Sequence, residues 1–137
     1  MSPSAFCLLA YVGWCIVMSL ALVGHRGLFI LSGQRRINQF SCDNKGLSDF
    51  GERMARVHAN CLENLPAVAT LLLYAMVTQQ TAKTNPLAPW LLGFRITQSL
   101  VHMSGTREWQ VWLRFTCFFA QGVIYCVWVG SFFNTGS

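Results

Sequence analysis

The stretch ERMARVHANCLENLPA, residues 52–67, places five ionisable side chains and two asparagines inside a chain that is otherwise strongly apolar. Of the 137 residues, 53% are hydrophobic and only 11% are charged, against about 25% charged in ordinary soluble domains. The composition therefore predicts an all-α membrane protein. The stretch then raises the question of what ionisable groups do inside its helices.

Two stretches at the ends of the chain contain no Asp, Glu, Lys, Arg or His, residues 1–24 and 115–137. Each reaches the roughly 20 apolar residues that cross a bilayer core. Two more apolar stretches lie between polar, turn-forming loops. We predict one integral-membrane domain over residues 1–137, a four-transmembrane-helix bundle with helices at about 4–34, 49–82, 87–103 and 106–134.

The basic residues lie mainly in or beside the first and third predicted loops: Arg35, Arg36, Lys45, Arg107 and Arg114. Under the positive-inside rule both loops are cytoplasmic. The net charge of +5 is thus explained by topology and ligand binding, and a nucleic-acid partner is not expected because no soluble basic face remains. No metal site is expected either, because no His or Cys cluster has ligand spacing.

On a helix that turns about 100° per residue, the polar groups of the opening stretch fall on one stripe. These are Glu52, Arg53, Arg56, Asn60, Glu63 and Asn64. His58 falls on the other side, which indicates packing or an interhelical hydrogen bond in preference to catalysis. Ionisable residues in a span cost several kcal/mol each unless they face protein, water or one another. Other helices or a neighbouring subunit must therefore cover the stripe.

Two further helices carry polar seams. The third predicted span has Arg95, Gln98 and His102 on one face, and the fourth begins with Arg107, Arg114 and Gln121 at steps of seven. Arginines exceed carboxylates along these seams, which favours an anionic ligand because unpaired buried charge is costly. The alternative is that the residues form only interhelical ion pairs or local pairs such as Glu52 with Arg56.

The opening stretch resembles the signature of the family of membrane-associated proteins in eicosanoid and glutathione metabolism. That signature reads E-R-x-x-R-x-H-x-N-x-x-E, followed by an aromatic or small residue and Pro. Its fixed positions are filled by Glu52, Arg53, Arg56, His58, Asn60, Glu63 and Pro66. The resemblance implies a homotrimer of four-helix subunits, glutathione at the subunit interface near the cytoplasmic side, and an apolar electrophile that enters from the membrane lipids.

The resemblance also implies which residues form the site. The expected glutathione-binding residues are Arg36, Arg53, Arg56, Asn60, Glu63, Arg95, Gln98 and His102. The family assigns thiol activation to an arginine near the start of helix four. Arg114 is the best match, with Arg107 as the alternative because the third loop is longer than in the prostaglandin-forming members. His102 stands where those members have a tyrosine, which argues against prostaglandin isomerase activity.

These residue types suit glutathione, which carries two carboxylates, an ammonium group and a thiol. Arginines can hold the carboxylates, Glu63 can receive the ammonium group, and a remaining guanidinium can favour the thiolate. We expect a membrane-bound glutathione transferase or peroxidase that detoxifies lipophilic electrophiles or lipid hydroperoxides, in a bacterial inner membrane or the endoplasmic reticulum. The alternatives are a non-catalytic lipid-binding member of the same family and a small channel or transporter subunit.

Overall fold

The computed structural model describes residues 1–134, and within that range every regular element is a helix. The elements are α1 (Pro3–Leu31), α2 (Asp49–Val77), the single turn α3 (Thr81–Thr84), α4 (Ala88–Ser104) and α5 (Glu108–Phe133). Three of them, α1, α2 and α5, are long and apolar enough to cross a membrane. Helix α4 has 17 residues and is therefore roughly 25 Å long.

Two helices end earlier than their sequence patterns predict. Helix α1 stops at Leu31 instead of residue 34, and α2 stops at Val77 instead of residue 82. In both cases the chain enters the left-handed region just after the helix, at Gly33 (φ 75°) and at Gln79 (φ 57°). The next backbone N–H then donates back to the last turn, from Gln34 to Phe29 and from Gln80 to Ala75. This is the Schellman ending of a helix.

Serine side chains begin the first two long helices. The Ser2 hydroxyl accepts a hydrogen bond from the Ala5 N–H at 3.1 Å, and the Ser48 hydroxyl accepts one from the Gly51 N–H at 2.9 Å. Asp49 then lies in the first turn of α2, where a negative charge is favourable. These caps define where the chain leaves the loops and enters the bundle.

The four long helices form one bundle in which α1 contacts α2 and α4, and α4 contacts α5. At one end of the bundle, the Ser4 and Thr84 hydroxyls lie 2.6 Å apart and Lys83 Nζ donates to the Ser131 carbonyl at 2.6 Å. At the other end lie the loops at residues 32–48 and 105–107. We call this second end the basic end.

The first loop is fixed at the basic end by Arg26 of α1. Its Nε donates to Asn44 Oδ1 at 2.7 Å, and its Nη2 donates to the Ser41 carbonyl at 3.0 Å. Asn44 is only 1% exposed and donates in turn to the Gly51 carbonyl of α2 at 3.1 Å. Arg26 and Asn44 therefore tie the loop to both helices that it connects.

Candidate functional site

A cleft of about 310 Å³ opens where α2, α4 and α5 meet. It is lined by Asn60, Gln98, His102, Val111, Arg114, Phe115 and Phe118. Four of these were predicted to belong to the site: Asn60, Gln98, His102 and Arg114. We call this space the polar cleft. It lies about one to two helical turns below the basic end, since His102 is near the end of α4 and Arg114 near the start of α5.

The cation of the polar cleft is Arg114. Its side chain is half-buried, and its Nε is buried with no hydrogen-bond partner among residues 1–134. A buried N–H without a partner costs about 1–3 kcal/mol, and more on a charged group. An anion in the cleft would remove that cost, which makes Arg114 the strongest candidate for contact with a negatively charged ligand atom.

Arg95 lies behind Asn60 and is not among the residues that line the polar cleft. It is 1% exposed, and its Nη1 donates to Asn60 Oδ1. Its Nε and Nη2 have no hydrogen-bond partner within residues 1–134. The sequence predicted that Arg95 binds the ligand directly. In the structure it reaches the cleft through Asn60, so it is a positioning residue.

Gln98 is held by Gln121, which belongs to the polar seam predicted on the fourth span. Gln121 of α5 donates from Nε2 to Gln98 Oε1 at 2.8 Å and to the Cys117 carbonyl at 3.0 Å. Both glutamines are almost fully buried. This contact fixes α4 against α5 immediately beside the polar cleft.

A second cleft of about 420 Å³ lies at the basic end. It is lined by Arg53, Ser104, Gly105, Thr106, Arg107, Trp109 and Gln110. The Nε of Arg53 donates to the Met103 carbonyl at 3.1 Å. The two arginines proposed for thiol activation therefore line different spaces, Arg114 the polar cleft and Arg107 this second one. The spaces are close to each other, because Arg53 and Arg114 both act electrostatically on His102.

Besides Arg95, three predicted site residues line neither cleft. Arg36 is exposed in the first loop, where its backbone N–H donates to Gln39 Oε1 at 3.0 Å. Arg56 and Glu63 are exposed on the outer face of α2. Glu63 lies 14 residues into that helix, or about 21 Å at 1.5 Å per residue. A carboxylate at such a depth requires cover by protein or water.

His58 makes the interhelical contact that its position opposite the stripe predicted. Its Nε2 lies 2.7 Å from the Ser19 hydroxyl of α1. Glu52 accepts a hydrogen bond from the Gly46 N–H at 3.0 Å, so this carboxylate holds the first loop. Neither residue lines a cleft.

The apolar wall of the polar cleft includes two residues that the sequence reasoning missed, Val111 and Phe115. Apolar residues in a membrane helix carry no distinguishing signal. Helical spacing from Arg114 could have found Val111, because positions three and four apart share a helix face. Gln110 was also missed, although it caps α5 by accepting from the Arg107 N–H at 2.9 Å.

Comparison with known proteins gives one match. The family model described as MAPEG family matches residues 4–133, which is nearly the whole chain. No curated protein and no solved structure gives a significant match. The chain is thus similar to that family over all four long helices and over every residue that lines the two clefts.

Proposed function

The chain belongs to the MAPEG family, and we propose that it is a membrane-bound glutathione-dependent transferase or peroxidase that acts on lipophilic electrophiles or lipid hydroperoxides. Membership, together with three helices fit to cross a membrane, makes it a multi-pass integral membrane protein of glutathione or eicosanoid metabolism. The observation that supports the finer proposal is the unpartnered Nε of Arg114 in a cleft with Asn60, Gln98 and His102.

The donors of the two clefts fit glutathione. The guanidinium groups of Arg53 and Arg107 suit carboxylates, because arginine binds them through two parallel N–H bonds. The side-chain amides of Asn60 and Gln98 suit a peptide backbone. Arg114 remains for the thiol, whose thiolate form a nearby guanidinium stabilises. When bound, glutathione supplies the nucleophilic sulfur for addition to an electrophile or for reduction of a hydroperoxide.

An apolar groove of about 630 Å³ continues from the polar cleft along α5. It shares Phe115 and Phe118 with the cleft and extends to Cys126 and Val127. We propose that this groove admits the lipophilic substrate from the bilayer and keeps water from the reacting sulfur. Its length and apolar lining also favour the second candidate function, a non-catalytic member that binds lipid.

We further propose that α4 is the fourth membrane span and that three chains assemble around α2. The 17 residues of α4 reach the lower limit of about 17 residues for a spanning helix. Glu63 and Arg56 lie outside both clefts of one chain, so their predicted roles toward glutathione require a neighbouring chain. An interface along α2 would give both residues the protein cover that their depth demands.

The experiment that tests the proposal is an ultraviolet difference titration of the detergent-purified protein with glutathione at neutral pH. A saturable thiolate band is expected. If calorimetry detects binding but no band forms, the site does not activate the thiol and the lipid-binding candidate is favoured. If neither binding nor a band is observed, glutathione is not the ligand and the proposal is wrong.

A further inference from the structure

Two cysteines face each other inside the bundle, Cys15 on α1 and Cys61 on α2. Cys15 is 4% exposed and Cys61 is fully buried. Both are free thiols, and they lie close enough for each to influence the other. Neither residue lines the polar cleft or the second cleft, so the proposed glutathione chemistry does not use them.

The antiparallel register of α1 and α2 places these residues opposite each other. The Ser19 hydroxyl of α1 lies 2.7 Å from His58 Nε2 of α2. Cys15 lies four residues before Ser19, and Cys61 lies three residues after His58. Because the helices are antiparallel, a step of one turn back along α1 and a step of one turn forward along α2 move in the same direction in space. Cys15 and Cys61 therefore lie at the same level of the bundle, one turn from the Ser19–His58 hydrogen bond.

Helix packing at this point suits a disulfide. Packed helices have axes about 8–10 Å apart, and Cα atoms lie about 2.3 Å from each axis. Two residues that face each other directly therefore have Cα atoms roughly 3.4–5.4 Å apart. A disulfide requires about 4.4–6.8 Å, so Cys15 and Cys61 can join without a large backbone movement.

The surroundings of Cys61 make it the better nucleophile of the two. Its Sγ lies 3.6 Å from the Ser99 hydroxyl. The guanidinium group of Arg95 also acts electrostatically on the Cys61 sulfur. A neighbouring guanidinium stabilises a thiolate, which is the reactive form of cysteine.

We propose that Cys15 and Cys61 form a redox-sensitive dithiol, which hydrogen peroxide oxidises to an interhelical disulfide. The Cys61 thiolate attacks one peroxide oxygen, the O–O bond breaks, and the departing hydroxide takes a proton to become water. Cys61 is then a sulfenic acid. The Cys15 sulfur attacks the Cys61 sulfur, the S–S bond forms, the S–O bond breaks, and a second water leaves.

The consequence of oxidation concerns Asn60, the residue that directly precedes Cys61. Asn60 lines the polar cleft and accepts from Arg95. A bond from Cys61 to α1 constrains the same turn of α2 and removes the contact between Cys61 and Ser99. Oxidation of Cys61 is therefore expected to change the position of Asn60 in the wall of the polar cleft.

The test uses the detergent-purified wild-type protein. The reduced protein is treated with hydrogen peroxide, denatured, alkylated with N-ethylmaleimide, digested and analysed by mass spectrometry. We expect a linked peptide that joins Cys15 to Cys61 and disappears after dithiothreitol, while the buried Cys7 is recovered alkylated. Oxidation of the exposed Cys42 in the same sample verifies that the oxidant was active.

Two variants identify the attacking sulfur. In Cys15→Ser the sulfenic acid cannot be resolved, so dimedone should label Cys61. In Cys61→Ser the same reagent should leave Cys15 unlabelled. Recovery of both wild-type cysteines in alkylated form beside an oxidised Cys42, or a linkage of Cys61 to any cysteine other than Cys15, would overturn the proposal. The wild-type result does not depend on whether either variant folds.

Discussion

The guanidinium group of Arg114 has a buried Nε with no hydrogen-bond partner among residues 1–134. We expect Arg114→Ala to keep glutathione binding within a few-fold but to lose the thiolate band, because the remaining donors hold the rest of the peptide. Turnover should fall roughly 10²–10³-fold, as it does when one donor to a developing anion is removed. Difference spectra and initial rates measure the two effects separately.

Arg107→Ala is the matched control for that substitution. Arg107 is exposed and lines the second cleft, so its removal should weaken glutathione binding more than it reduces the thiolate fraction of bound glutathione. The opposite pattern, with the band lost in Arg107→Ala and kept in Arg114→Ala, would reassign thiol activation to Arg107. Equal loss of binding and thiolate in Arg114→Ala would contradict its assigned role.

Arg95 is a buried cation whose guanidinium group donates a hydrogen bond to the Asn60 side chain. Arg95→Met keeps an unbranched side chain, although a shorter one, and removes the buried charge, and such replacements are often neutral or stabilising. We expect little loss of thermal stability but about tenfold weaker glutathione binding, or about 1.4 kcal/mol, because Asn60 loses its positioning contact. A melting curve and calorimetry test this, and unchanged affinity would contradict the positioning role.

The start of α5 depends on one side-chain amide. Gln110 accepts from the Arg107 N–H at 2.9 Å and donates to the Ser104 hydroxyl at 2.9 Å. A Cβ at Gly105 would lie 2.7 Å from Gln110 Oε1, so Gly105→Ala should displace this amide. Loss of a helix cap costs about 1 kcal/mol. We expect a lower melting temperature and faster hydrogen exchange in the first turn of α5.

Gly93→Ala is the control for the Gly105→Ala substitution. Gly93 lies within α4. Apart from its chain neighbours and the nearby backbone of its own helix, no atom of residues 1–134 would lie within 4 Å of a Cβ added there. Alanine is favoured over glycine inside a helix by about 0.5–1 kcal/mol, so this variant should be at least as stable as wild type. If Gly105→Ala and Gly93→Ala melt alike, Gln110 is not an important cap.

At the scale of the whole chain, the sequence predicted the long helices because charge-free stretches and turn-forming loops are visible in it. The end of α1 was predicted at residue 34 and not at Leu31, although Gly33 is a residue type that suits the left-handed turn after a helix. The end of α2 was not predicted correctly either, because Gln79 adopts the same turn without a glycine to indicate it. Likewise, the spacing of Arg95 predicted a shared face with Gln98, but only packing shows that Arg95 lies behind Asn60.

The outer face of α2 makes a prediction about assembly. Arg56, Ala59 and Glu63 are exposed on that face of the described chain, and Glu63 lies at a depth where a charged side chain facing lipid costs at least a few kcal/mol. We expect native mass spectrometry of the detergent-extracted protein to give the mass of three chains, because an interface along α2 covers these groups.

Ala59→Trp places a large side chain between Arg56 and Glu63 and should release single chains. Leu20→Trp, at a 67% exposed apolar position of α1, should leave the assembly intact. A single-chain mass for wild type, or a full trimer in Ala59→Trp, would mean that α2 does not form the interface and that water must solvate Glu63.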